Sequence, residues 1–237
     1  MLDKLKEKPT TRPDYRIIGK PVARHDAWGK VFADTKYAND YTLPGMLYAK
    51  VLRSRYAAAR VLSIDTAEAV KLAGVEAVMT AKDIPHNETV TRFGQTHKVG
   101  GFEGLYRVLA EKKIRFRGEA IALVAAKSLA IAEKALGLIK VEYEPLEGVF
   151  DPVEAMKPGA YRVGEDESNV ICSYKVRKGD IAEGFDLADV IVENTYRVPM
   201  VDHAYLEPES GVAWLDDDGV ITIRAATQVI EHFRGIA

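Results

Sequence analysis

The chain has 237 residues, 47% hydrophobic and 29% charged, and its 33 Lys and Arg against 35 Asp and Glu leave a net charge of -2. That balance fits a globular protein of one large or two small domains, and it lacks the field of one sign that would draw nucleic acid or an anionic membrane surface. Cys172 is the only cysteine, so an internal disulfide and a Cys-x-x-Cys signature are excluded and a cytoplasmic setting is expected; no signal-peptide core or membrane span is evident.

Residues 1–20 form a tail: many charges, Pro9 and Pro13, and little periodicity. Past it, Tyr48 to Arg53 and Arg60 to Asp65 alternate as strands do. Thr66 is placed to cap a helix over Ala67 to Leu72, which Gly74 stops, and Val75 to Thr80 is a third strand. Pro85 to Gly104 holds four glycines and reads as a long loop.

Ala120 to Ala126 is a continuous apolar run, the pattern of a strand buried on both faces. Ser128 then caps a helix from Leu129 to Leu138, whose Ile131, Ala132, Ala135, Leu136 and Ile139 share one face. Val141 to Glu144 follows as a strand that Pro145 ends. The strand, helix and strand make a βαβ-like or split unit, so the first domain is α/β or α+β.

Asp151 to Asp166, with Pro152, Pro158 and Gly159, reads as a linker. Beyond it the pattern becomes strand-rich: Ile171 to Val176, Val190 to Val198, Gly211 to Leu215 and Val220 to Ala225, with Asp217-Asp218-Gly219 as a hairpin turn between the last two. Val229 to Gly235 resembles the opening turns of a helix. A strand-rich domain of this size has few apolar anchors, so further protein or a partner is expected to complete it.

Chemistry is sparse. No glycine-rich phosphate loop or His-Glu-x-x-His motif is present. His25, His86, His97, His203 and His232 are scattered, so no metal ligand is named. Asp202 to Ser210 is the densest polar cluster and could supply an acid–base pair, but spacing alone favours a polar loop. Asp216-Asp217-Asp218 lacks the glycine and distant Glu of a calcium loop. Gln228 stands between a strand and a helical start, where an amide could face a ligand; on pattern alone it is an ordinary surface residue.

Several stretches, in order, resemble the large subunit of the molybdenum hydroxylases, the xanthine dehydrogenase and aldehyde oxidase family. They are Ile18 to Arg24 with Asp26, Gly29 and Lys36 to Asp40; Leu43 to Ala49; Leu52 to Ser54; Arg117 to Ala122; Val141 to Leu146; Gly179-Asp180; Val192 to Arg197; His203 to Pro208; and Ala226-Thr227-Gln228. The resemblance implies an α/β hammerhead domain over residues 21–150, a linker over 151–168, and the beginning of a molybdopterin-binding domain over 169–237. It also implies that Gln228 lies beside the molybdenum cofactor, where an amide can hydrogen-bond a metal ligand without adding charge. By the same resemblance Tyr205-Leu206-Glu207-Pro208 is scaffold.

The family's later Gly-Gly-Phe-Gly-Gly motif and its general-base Glu have no counterpart here, so no catalytic residue is named and the isolated chain is expected to be inactive. Phe32-Ala33 replaces the family's usual Thr-Gly, which is expected to alter a local turn rather than the chemistry. The activity implied for the complete enzyme is hydroxylation of a purine, aldehyde or N-heterocycle with water as oxygen source. Molybdenum–molybdopterin would be shared with the remainder of the molybdenum subunit, and 2Fe-2S clusters and FAD would sit on partner subunits. The alternative is a non-catalytic fragment or docking module that binds such subunits.

Overall fold

The computed structural model describes residues 15–93, 102–164, 168–170, 173, 175–228, 230 and 234. Its helices are α1 (Ala27–Val31), α2 (Ala67–Lys71), α3 (Leu129–Leu136), α4 (Pro152–Ala155) and α5 (Ile181–Asp186). Its strands are β1 (Tyr48–Arg53), β2 (Ala59–Asp65), β3 (Val75–Thr80), β4 (Glu88–Phe93), β5 (Phe102–Arg107), β6 (Lys113–Ile114), β7 (Ala120–Ala126), β8 (Lys140–Pro145), β9 (Gly211–Leu215) and β10 (Ile221–Ala225). Contacts divide the chain into two units, one of residues 1–41 with 202–228 and one of residues 42–201 with 229–237. The segment before β1 therefore groups with the β9–β10 hairpin.

In the larger unit the described strands form a sheet in the order β1-β7-β3, a second in the order β6-β2-β8, and the β4–β5 ribbon. All these ladders are antiparallel. The strand–helix–strand units do not each return to one parallel sheet. β2 leads through α2 to β3, and β7 leads through α3 to β8, so each unit crosses from one sheet to the other. The split form of the unit is the one adopted, and the architecture is mixed α/β with antiparallel sheets.

β7 carries both cores because its faces alternate. Ala122, Val124 and Ala126 pack with Ala69, Ala132, Ala135 and Ile139, while Ile121 packs on the other side with Ala59, Ala110 and Ile114. Ile64 and Val141 touch both clusters. Ile114, Ile121 and Val124 are the largest fully buried side chains, each contributing about 1.5–3 kcal/mol by removal from water. The many alanines at these positions let α3 approach the sheet closely.

Local signals behave unevenly. Ser128 caps α3, its hydroxyl accepting from the Ile131 amide at 3.3 Å. Thr66 does not cap α2; the Asp65 carboxylate accepts from the Ala67 amide at 3.0 Å instead. The expected loop over 85–104 contains β4 and the start of β5, and 94–101 lie outside the described residues. Asn87 closes the base of that ribbon, donating to the Leu109 carbonyl and accepting from its amide, both at 2.9 Å.

The segment read as a linker includes α4, where Asp151 accepts from the Val153 and Glu154 amides. Asn169 ties it down through the carbonyls of Ala155 and Tyr161 and the amide of Val163. Val190 to Val198 is not a strand: it is exposed chain without a ladder. Within 171–176, Ile171, Cys172 and Tyr174 lie outside the described residues, and the others form no strand. The helical start expected at 229–235 also falls largely outside them.

Candidate functional site

Gln228 is placed by the β9–β10 hairpin. Ile221 to Ala225 pair with Leu215 to Gly211, and the Ala226 amide extends the ladder by donating to the Ser210 carbonyl at 3.1 Å. The turn at the far end is organised by Asp216, whose carboxylate accepts from the Asp218 and Val220 amides, with Gly219 at φ +76°. These aspartates therefore shape a hairpin. At the near end Arg224 lies over the Tyr41 ring, 4.5 Å from its centroid.

Two residues past β10, the Gln228 side chain meets the 202–210 segment. Its Nε2 donates to the Tyr205 hydroxyl at 3.2 Å, and both side chains are exposed. The Tyr205 ring in turn stacks on His203, with centroids 5.5 Å apart and planes 5° from parallel. Ala204 between them has φ +50°, and it folds the chain so that residues two apart face one another. A strand conformation cannot do this without a turn, so the polar cluster is a loop by construction.

No hydrogen bond joins His203 to a carboxylate among the described residues, so the cluster does not assemble an acid–base pair. His25 and His86 are exposed and apart from it, and His97 and His232 lie outside the described residues. Among the described residues no group of three His, Cys, Asp or Glu side chains could hold a metal ion. The hydrogen bond between Tyr205 and Gln228, 23 residues apart, was not legible in the spacing.

The family-like stretch Arg117-Gly118-Glu119 is structural. Glu119 is buried and accepts from the Arg115 amide at 2.6 Å and Nε at 2.8 Å. Gly118 sits at φ +90°, with its carbonyl held by Arg53. In the smaller unit, the Arg24 guanidinium and then Lys30 hold the Asp26 carboxyl well below the usual carboxylate range. Burial raises the Tyr143 phenol above its ordinary value.

Residues 32–147 match the family described as "Aldehyde oxidase and xanthine dehydrogenase, a/b hammerhead domain", and residues 163–237 match "Molybdopterin cofactor-binding domain". A probable xanthine dehydrogenase subunit of Bacillus subtilis is 44% identical over 213 residues, 90% of this chain and 27% of the relative. "Nicotinate dehydrogenase large molybdopterin subunit" of Eubacterium barkeri is 35% identical, over 94% of this chain and 50% of the relative. The solved quinoline 2-oxidoreductase of Pseudomonas putida 86 superposes with a TM-score of 0.79 at 31% identity, over 91% of this chain and 27% of that one. The chain thus spans between about a quarter and a half of the length of these relatives. With both domain types matched in order, the chain belongs to the molybdenum hydroxylase family of xanthine dehydrogenases and aldehyde oxidases, and it corresponds to the amino-terminal part of the molybdopterin-binding subunit.

Proposed function

We propose that the chain serves as the amino-terminal portion of a cytoplasmic molybdenum hydroxylase that oxidises a purine, aldehyde or N-heterocycle with water as oxygen source. The ordered match to a hammerhead and a molybdopterin-binding domain carries the proposal. Gln228 is its cofactor-facing residue. The donor set suits that role: one N–H is spent on Tyr205, while the carbonyl oxygen and the other N–H have no partner among the described residues. A neutral, exposed and oriented amide can hydrogen-bond a metal ligand without altering the charge of the centre.

When bound, molybdenum–molybdopterin supplies the redox chemistry; this chain's part is to orient. Tyr205 fixes the amide, and the hairpin fixes its position relative to the 202–210 loop. The remainder of the molybdenum subunit, an iron–sulfur subunit and an FAD subunit are the partners of the proposed complex. The isolated chain has no catalytic group of its own in this scheme.

Native mass spectrometry of the protein from its own host, with molybdenum measured by elemental analysis, tests the reading. The expected result is a complex with flavin and iron–sulfur components and about one molybdenum per copy of this chain. A lone, metal-free chain would overturn it.

A further inference from the structure

Residues 187–201 present a contradiction between pattern and surroundings. Val190, Val192, Tyr196, Val198 and Met200 recur with period two, the signature of a strand with one buried face. Glu193, Thr195 and Arg197 take the alternate positions. Yet those five apolar side chains are each 75% exposed or more, and residues 189–201 make no backbone hydrogen bond among the described residues. Asn194 and Tyr196 reach one another along the apolar face at 3.5 Å, as side chains two apart on an extended chain do. An extended segment with free backbone groups and an uncovered apolar face is a template for strand addition.

We infer that residues 190–200 form the docking strand for the remainder of the molybdopterin subunit, the inference resting on the assembly proposed above. The segment lies inside the stretch that matches the molybdopterin-binding domain. The matched region takes up 27% of the Bacillus subtilis relative, so most of such a subunit lies outside it and is free to supply the covering strand. The larger unit already pairs β1, β2, β3, β7 and β8 internally, so its own strands are committed. Pro199 removes one donor from the edge shared by the odd-numbered residues. The edge carrying the amides of Val192, Asn194, Tyr196 and Val198 stays complete, and the added strand pairs there.

The probe is the portion of the Bacillus subtilis relative outside the match, co-expressed with this full chain. Hydrogen exchange resolved to single residues should show at least about tenfold slowing at Val192, Asn194, Tyr196 and Val198 in the complex. The double variant Val192→Lys/Val198→Lys, at exposed positions, should keep the far-UV circular dichroism of the parent and bind the probe at least about tenfold more weakly. A complex whose 190–200 amides exchange as in the free chain overturns this inference and leaves the proposed assembly standing. Unchanged affinity in the double variant does the same. Failure to form any complex removes both. Protection of these amides in the chain alone, with doubling of its mass, would assign the strand to a second copy and overturn the inference.

Discussion

Ala33 stands just past α1, with φ +60°, a conformation that costs an L-residue roughly 1–2 kcal/mol and a glycine little. The backbone there is over-determined: the amides of Asp34 and Thr35 both donate to the Gly29 carbonyl, at 2.8 and 3.1 Å. Such a close ends a helix, and glycine is its usual residue. The departure from the family pattern at Phe32-Ala33 therefore falls on the one atom the turn would omit. Ala33→Gly should stabilise the smaller unit by about 1 kcal/mol, read as a higher urea midpoint at unchanged slope. A lower midpoint would mean that the Cβ makes contacts worth more than the strain. The same scale explains what pattern cannot reveal about Gln228. A lone amide after a strand has no sequence signature, and the partner that orients it, Tyr205, is reached only once the hairpin has closed.

At the level of elements, legibility followed locality. The apolar run 120–126 announced β7 because both of its faces are buried, and Ser128 announced α3 because capping is decided within one turn. The Asp-Asp-Gly turn announced the β9–β10 hairpin for the same reason. What spacing could not convey is pairing: β2 finds β8 and β3 finds β7, with long stretches of the unit between them. Gly74 joins the two kinds of information. It stops α2 with φ +90°, as its position after a short helix suggests, and it also lies under α3. A Cβ there would come 2.8 Å from Ile131 Cδ1. Gly74→Ala should cost about 2–4 kcal/mol, combining a left-handed alanine with overpacking against a side chain of the core. A loss under about 0.5 kcal/mol in urea unfolding would show that α3 yields freely and that its packing on the β1-β7-β3 sheet is loose.

Across the whole chain, order is distributed unequally, and the distribution has a kinetic consequence. Arg60 lies in β2, inside the β6-β2-β8 sheet, with its guanidinium on Glu144 at 2.9 Å, and Lys140 lies in the facing strand β8. Cleavage at either needs the ladder opened, which draws on the stability of the core. Lys178 and Arg197 are exposed, lie outside every described helix and strand, and need no such opening. Proteases cut where the backbone is already free to enter their cleft, so the rate ratio between the two classes measures the free energy of opening the sheet. Trypsin on the isolated chain, followed by intact-mass spectrometry, should cut after Lys178 and Arg197 at least about tenfold faster than after Arg60 and Lys140. If a strand of the remaining subunit pairs along residues 190–200, adding it should slow the cut after Arg197 and leave the cut after Lys178 at its free rate, since Lys178 precedes α5 and lies outside the docking strand. Equal protection at both sites would point to burial of the whole segment from 175 onward, a wider interface than one added strand provides.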